Sequence, residues 1–205
     1  MSVVADRASA RRGRARLLVW ATIAWNGVEA VIAIAAGAAA GSGALVGFGL
    51  DSTVEVSAAA VALWYLRGDG DDRGRIAGRA IGMSFWALAA WVAVHAVGDL
   101  VGGHRPETSV VGIVLTSLSV LVMPALAAAK RRNGVALGSS ALVAESSQTL
   151  VCAYLSGAVL AGLVLNALLD WWWADPVAAL VIAVVAAREG LEAWRGELLD
   201  DGGCC

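Results

Sequence analysis

The segment Asp51-Ser-Thr-Val-Glu55 places two carboxylates one helical turn apart inside an apolar run from about residue 44 to residue 66. Residues at positions i and i+4 of a helix lie on one face, so both acids point in the same direction. A charged side chain at membrane depth is costly, and it is retained where it faces a protein interior or an ion path. No Lys or Arg lies within this run. The pair therefore requires protons or a mobile metal ion as its counter-charge.

The composition indicates an integral membrane protein. Hydrophobic residues make up 59% of the 205 residues, and the mean hydropathy is +0.73. Charged residues make up 16%, against about 25% in a soluble domain. No polar stretch is long enough to fold alone, so we predict one membrane domain, with the first apolar run retained as a span rather than cleaved as a signal peptide. The three cysteines suggest no disulfide framework.

Six apolar runs predict the fold, because about 20 apolar residues cross a bilayer as a helix. We predict an all-α integral membrane protein of six transmembrane helices. The basic N-terminus would comprise residues 1–16, the transmembrane domain residues 17–187 and a short C-terminal tail residues 188–205. The spans are predicted at about 17–40, 44–66, 77–101, 110–129, 135–169 and 172–187.

The distribution of positive charge predicts the orientation. Of the fifteen basic residues, all except Arg105 fall before the first span, after the sixth, or in or at the edge of the connections that follow the second and fourth spans, with Arg79 at the start of the third span. Lys130, Arg131 and Arg132 are assigned to the connection between the fourth and fifth spans. Cytoplasmic segments carry the excess of Lys and Arg, so both termini are predicted to be cytoplasmic. The predicted location is the cell (inner) membrane, as a multi-pass protein.

A short internal similarity relates the second and fifth spans. Ser42-Gly-Ala-Leu-Val46 returns as Ser139-Ser-Ala-Leu-Val143, and the same offset places Gln148 opposite Asp51 and Cys152 opposite Glu55. Three spans separate the copies, so the two helices would enter the membrane from opposite sides. This pattern predicts an inverted three-plus-three repeat, whose substrate site lies near the bilayer midplane between the halves.

A ligand set for a metal ion follows from helix geometry. Glu145, Gln148 and Cys152 fall on one face of the fifth span. Beside Asp51 and Glu55 they would form a pocket between two helices, in which Gln148 is a weak neutral ligand and Glu145 an additional anion. Carboxylate oxygen and thiolate sulfur suit a divalent transition metal. The pairs on the two helices predict a tetrahedral metal site.

These segments resemble the cation diffusion facilitators, six-span proton-coupled exporters of zinc and related divalent metals. The family usually shows Asp-x-x-x-Asp on the second span and His-x-x-x-Asp on the fifth. Asp51 matches the first position and Glu55 is a conservative change at the second, whereas Gln148 stands in place of His and Cys152 in place of the final Asp. The similar stretches are Gly41-Ser-Gly-Ala-Leu-Val-Gly-Phe-Gly-Leu-Asp-Ser-Thr-Val-Glu55, Ala144-Glu-Ser-Ser-Gln-Thr-Leu-Val-Cys152 and Trp173-Ala-Asp-Pro-Val-Ala-Ala178.

The resemblance implies a divalent transition-metal transporter that works in efflux by proton-coupled alternating access, and not an enzyme. Zn²⁺ is the first expectation for the transported ion, with Cd²⁺, Fe²⁺, Co²⁺ and Cu⁺ open because of the Gln and Cys ligands. Asp51, Glu55, Glu145 and Cys152 would carry the exchanged protons. The family commonly adds a cytoplasmic domain after the sixth span, so the chain resembles a transmembrane-only member. The expected partners are metal ions, protons, lipid and a second copy in a homodimer, with no nucleic acid.

Three other functions stay open: a membrane sensor or binding protein that holds metal without transport, a membrane-embedded enzyme, and a channel. No Ser/His/Asp arrangement, His-Glu-x-x-His run or phosphate-binding loop is visible to support an enzyme. A pocket of acids and a thiol favours slow exchange over the fast permeation of a channel.

Further polar residues have both a functional and a structural interpretation. Glu29, with Asn26 on the same face, is a proton relay or a packing contact. His95 and Asp99 are an exit site or, more often for such a pair, an interfacial hydrogen bond. Asp69, Asp71 and Asp72 form a solvated charge cluster or a site of metal capture. His104 is predicted to be a solvated loop residue. Cys204 and Cys205 chelate a soft metal, accept a lipid or belong to a tail without function.

Overall fold

Six α-helices account for nearly all of the chain that the computed structural model describes, which is residues 2–65, 71–137 and 140–195. Within the residues that the structure describes, four of them contain a segment long and apolar enough to cross a membrane: Gly13–Ala40, Gly82–Gly102, Val110–Leu137 and Gln148–Leu169. The chain is therefore an all-α membrane protein, as the sequence predicts. The helices are α1 Ser2–Ala40, α2 Gly43–Tyr65, α3 Asp71–Gly102, α4 Val110–Leu137, α5 Ser140–Leu169 and α6 Ala174–Arg195.

The boundary between the fourth and fifth helices differs from the prediction. α4 continues to Leu137 and α5 begins only at Ser140. Residues 130–134, predicted between the two spans, and residues 135–137, predicted to begin the fifth, therefore extend α4. Lys and Arg are good helix formers, and no proline interrupts this stretch. Lys130 therefore lies in α4, and its side chain is fully buried. Arg131 and Arg132, which follow it, are exposed.

α2 lies at the centre of the helix bundle, in contact with α1, α3, α5 and α6. The most extensive pairs are α4 with α5, α3 with α6 and α1 with α2. Each helix of the first half also contacts its counterpart in the second half, as α1 with α4, α2 with α5 and α3 with α6. A three-plus-three repeat would produce this pairing. The inverted orientation of the halves and the cytoplasmic termini remain predictions.

Glycines bring α1 and α2 into backbone contact beside the acidic segment of α2. A Cβ atom added to Gly49 would lie 2.9 Å from the backbone nitrogen of Ile34 and 3.0 Å from the carbonyl oxygen of Ala30. A Cβ atom on Gly37 would lie 2.7 Å from the backbone nitrogen of Val46. Small residues at such positions let membrane helices approach closely. The approach places the polar side chains of α1 within reach of those on α2.

A buried carboxylate joins α6 to the start of α2. Asp175, in the first turn of α6, accepts hydrogen bonds from the hydroxyl of Ser42 and, at 3.2 Å, from the backbone N–H of Ala44. The first N–H groups of a helix have no partner within the helix, so a carboxylate at this end stabilises it. Asp175 therefore holds the N-terminal end of α2 in place, two turns before the paired acids.

Candidate metal centre

The side chains of Asp51, Glu55 and Cys152 converge between α2 and α5. One potential ligand atom from each residue lies within 4.8 Å of the other two, and this is the one such group of His, Cys, Asp or Glu side chains over the described part of the chain. Asp51 is 3% exposed, Cys152 is fully buried and Glu55 is half-buried. The structure thus brings together three of the five residues predicted as ligands.

Gln148 lies one helical turn before Cys152 on α5, and its side chain is half-buried. The side-chain nitrogen Nε2 is buried and has no hydrogen-bond partner among the described residues. The fifth predicted ligand, Glu145, belongs to α5 by its backbone, but its side chain lies outside the described part of the structure. Both residues therefore keep their status as predicted ligands.

α1 adds two polar side chains beside the cluster. The Nδ2 atom of Asn26 donates a hydrogen bond of 2.7 Å to Oε2 of Glu55. Glu29 is fully buried, and its Oε2 accepts a hydrogen bond of 3.1 Å from the hydroxyl of Ser52, next to Asp51. Oε1 of Glu29 and Oδ1 of Asn26 are buried acceptors without a hydrogen-bond donor among the described residues. Such atoms are costly to leave unpaired, so this side of the cluster suits a proton or a cation.

Glu29 also interacts electrostatically with Asp51, Glu55 and Cys152. The side chain extends the acidic environment from α2 and α5 to α1. Its role as a proton relay remains a prediction.

Lys130 is the residue near the cluster that the sequence predictions missed. It is fully buried, and its ammonium group donates a hydrogen bond of 3.1 Å to the hydroxyl of Thr149, the residue after Gln148 on α5. It also interacts electrostatically with Glu55. The sequence gives one indication that this residue is unusual, because Lys130 is the single lysine among fifteen basic residues and directly follows an apolar run.

The charges of the cluster define what it can bind. Two carboxylates and a thiol at this spacing repel one another when deprotonated, and burial increases the cost of each charge. A divalent ion balances two of these charges at once, and oxygen and sulfur ligands together suit transition metals rather than Mg²⁺ or Ca²⁺. The arrangement is therefore suited to a transition-metal dication or, in its absence, to protons.

The other predicted polar sites are less organised. His95 is exposed, stacks on Trp91 with ring centroids 4.1 Å apart, and has its Nδ1 3.1 Å from the Trp91 carbonyl oxygen. Asp99 is half-buried and His104 is exposed. Three further candidates, Asp69, Cys204 and Cys205, lie outside the described residues, as do the side chains of Asp71 and Asp72.

The comparison with known proteins identifies the family. A family model described as the cation efflux transmembrane domain matches residues 75–199, which is more than half of the chain. Gln148 and Cys152 lie inside the matched region, whereas Asp51 and Glu55 precede it. No match was found among curated proteins. The family consists of transporters, so the alternative of a membrane-embedded enzyme is excluded. The chain belongs to the cation efflux family, the cation diffusion facilitators, whose members transport divalent metal cations across membranes.

Proposed function

We propose that this protein exports Zn²⁺ or a related transition-metal ion across the inner membrane by proton-coupled alternating access. Asp51, Glu55 and Cys152 would form the core of the transport site, with Gln148 and Glu145 as further ligands. The observation that carries the proposal is the convergence of three ligand atoms within 4.8 Å between α2 and α5. A cation transporter needs such a site, and intramembrane acids mark ion paths.

The ligand chemistry supports a borderline or soft metal. Zn²⁺ accepts sulfur, nitrogen and oxygen ligands in a tetrahedral arrangement, and the cluster supplies two carboxylates and one sulfur. Gln148 lies on the same face of α5 as Cys152 and offers a fourth, neutral ligand. Because thiolate sulfur also binds Cd²⁺ and Cu⁺ strongly, the metal range would be broader than that of an all-oxygen site.

Proton coupling would follow from the same ligands. Carboxylates and thiols bind metal in their deprotonated form, so metal binding releases protons and proton binding releases metal. One helix of each half contributes to the cluster, and a movement of the halves relative to each other would expose it to either side of the membrane. Protons from the outer side would then displace the metal ion.

Transport in reconstituted vesicles tests this function. Purified protein is inserted into liposomes that contain a Zn²⁺ indicator, and a proton gradient is imposed. We expect wild-type protein to carry Zn²⁺ in a gradient-dependent way and Asp51→Asn to abolish the flux, because the site loses one of its two carboxylates. Asp170→Asn makes the same chemical change at an exposed outer residue and should leave the flux unchanged.

Two results would contradict the proposal. Full transport by Asp51→Asn would remove the cluster from the transport path. Stoichiometric metal binding by the wild type without any flux would instead favour a membrane metal sensor or binding protein.

The assembly is also part of the proposal. We propose a homodimer held by membrane helices, with both termini cytoplasmic. The family resemblance supports the dimer, and the segregation of the basic residues supports the orientation. The apolar side chains exposed on the described helices, Val31, Val94 and Leu121 among them, provide surface for lipid and for a second copy.

A further inference from the structure

Asn26 is a buried amide side chain of α1, and only 2% of its surface is exposed. Its Nδ2 atom donates the 2.7 Å hydrogen bond to Oε2 of Glu55, which is the one hydrogen bond that this side chain makes among the described residues. Its Oδ1 atom has no donor there. A polar group buried in a membrane helix is costly and is retained where it has a partner or a function. The bond to Glu55 is therefore the contact that accounts for the amide at this position.

The packing of α1 on α2 holds this amide in place. Ser52, one turn before Glu55 on α2, donates its hydroxyl to Glu29, which lies one turn after Asn26 on α1. The two hydrogen bonds thus follow the antiparallel register of the helix pair. Beyond them the two backbones touch at Gly49. The position of Asn26 relative to Glu55 is therefore set by the contact of two helices as well as by the conformation of one side chain.

Glu55 is the member of the cluster that most needs such support. It is half-buried, whereas Asp51 and Cys152 are buried, and glutamate has one more rotatable bond than aspartate. A ligand that moves freely loses side-chain entropy when it is ordered by a metal ion. A carboxylate has about four lone-pair sites, so the bond from Asn26 orients the group and leaves sites for an ion.

We infer that Asn26 is a positioning residue of the metal site, which acts by holding the carboxylate of Glu55 in the orientation that binds the ion. The inference rests on the proposed function, since it assumes that the cluster binds the transported metal. Carboxylates that ligate metals are themselves hydrogen-bonded, and the loss of such a partner costs about 10–100-fold in metal affinity. The site would thus depend on α1 as well as on the two helices that carry the ligands.

A double-mutant cycle on purified protein tests the inference. The Zn²⁺ affinities of wild type, Asn26→Leu, Glu55→Ala and the double variant are determined in detergent by competition with a chelating indicator. Leucine is close to asparagine in shape and lacks the donor, and we expect it to weaken Zn²⁺ binding by about 10–100-fold. In the Glu55→Ala background the same change should have less than about a twofold effect, because no carboxylate remains to be oriented.

Thr22→Val is the matched control on the same helix. Thr22 lies one turn before Asn26 and is also buried, but its hydroxyl donates to the carbonyl oxygen of Leu18 within α1. Removing this hydroxyl should leave the Zn²⁺ affinity unchanged. Thermal unfolding of each variant without metal checks that the fold is retained.

The asparagine side chains also permit a measurement on the unaltered protein. The chain has three asparagines, so labelling with ¹⁵N at Nδ2 gives three pairs of side-chain NMR signals, assigned by substituting Asn133 and Asn166 in turn. We expect the Asn26 signals to shift as Zn²⁺ saturates the protein, because the carboxylate that accepts its hydrogen bond becomes metal-bound. Asn166 donates to the carbonyl oxygen of Pro106 at 2.9 Å, and its signals should stay in place as an internal reference.

The outcomes separate the two proposals. If wild-type protein binds no Zn²⁺, both the transport site and the positioning role are wrong. If wild type binds Zn²⁺ but the Asn26 signals do not move at saturation, the positioning role alone is overturned, and this result stands even where Asn26→Leu does not fold. Wild-type affinity in Asn26→Leu, or an equal loss with and without the Glu55 side chain, overturns it as well.

Discussion

Cys152 gives the cluster one soft ligand beside two hard carboxylates. Its side chain is fully buried on α5, within 4.8 Å of ligand atoms from both acids of α2. A buried cysteine away from acids behaves as a small apolar residue. Here its neighbours are two carboxyl groups, and the sulfur is the group that would distinguish Cd²⁺ from the harder metals.

Replacing the sulfur by oxygen tests this distinction. We expect Cys152→Ser to weaken Cd²⁺ binding by at least about tenfold more than Zn²⁺ binding, because softer metals gain more from a thiolate ligand. Serine has nearly the size of cysteine, so the packing at this buried position is preserved. The affinities for both metals are measured by competition with a chelating indicator.

The matched control for this change is Cys204→Ser together with Cys205→Ser, which alters the other two thiols of the chain. These substitutions should leave the ratio of the Cd²⁺ and Zn²⁺ affinities unchanged. An equal loss for both metals in Cys152→Ser would show that the sulfur does not coordinate them.

At the scale of helices, the close contact of α1 and α2 positions the polar groups around the cluster. Gly49 lies two residues before Asp51, where its missing side chain admits the backbone of α1. The contact brings Asn26 to Glu55 and Glu29 to Ser52. The distance between these two helices therefore controls both the packing and the hydrogen bonds of Glu55 and Ser52.

One added methyl group at Gly49 should force the two helices apart. We expect Gly49→Ala to lower stability by about 1–3 kcal/mol, the usual cost of overpacking, because the new Cβ would meet backbone atoms at 2.9–3.0 Å. Zn²⁺ affinity should fall with it, since the contacts of Asn26 and Glu29 would lengthen. Thermal unfolding in detergent and the metal competition assay measure the two effects.

Gly27→Ala provides the control on the same helix pair. No atom lies within 4 Å of the added Cβ, and alanine favours a helix over glycine by about 1 kcal/mol. This variant should be as stable as wild type or slightly more stable. Equal destabilisation by both substitutions would show that the close approach at Gly49 has no special role.

At the scale of the whole molecule, the orientation in the membrane follows from the basic residues. Arg131 follows Lys130 near the end of α4, and Glu107 lies between α3 and α4; both side chains are exposed. The positive-inside distribution predicts that these two positions lie on opposite sides of the bilayer.

Cysteine accessibility tests this orientation. In a background with the three native cysteines changed to serine, a membrane-impermeant thiol reagent added to intact cells should label Glu107→Cys and not Arg131→Cys. Inverted membrane vesicles should show the reverse. Labelling of both positions from the same side would contradict the predicted topology, and wild-type stability of both variants checks that the fold is retained.

The features that could be predicted from the sequence are those that depend on local spacing. Hydropathy gave the six helices, and the four-residue spacing of Asp51 and Glu55 placed them on one face. The positions of Gln148 and Cys152 relative to them pointed to α5. The fully buried side chains of Lys130 and Glu29 depend instead on which helices pack together and how closely. The local pattern marks Lys130 as unusual only by its residue type and its place after an apolar run, and it does not show which side chains the lysine meets. The hydrogen bond from Asn26 to Glu55 likewise depends on the packing of two helices.

The end of α4 is a second feature that the sequence did not predict. Hydropathy places the boundary where charged residues begin, at Lys130, although the helix continues to Leu137. The long aliphatic part of a lysine lets it remain in a packed helix when its ammonium group has polar partners. Hydropathy therefore located the start of α4 correctly and missed that the helix continues through the buried Lys130.

The burial of Lys130 makes the folded protein resistant to a lysine-specific protease. Such an enzyme has one cleavage site in the chain, and cutting there would separate residues 1–130, which carry α2, from residues 131–205, which carry α5. Proteases cleave the transiently opened chain far more readily than the native state. Resistance to the protease would therefore indicate that the helices around the acids are assembled, and cleavage after Lys130 would indicate that they have come apart.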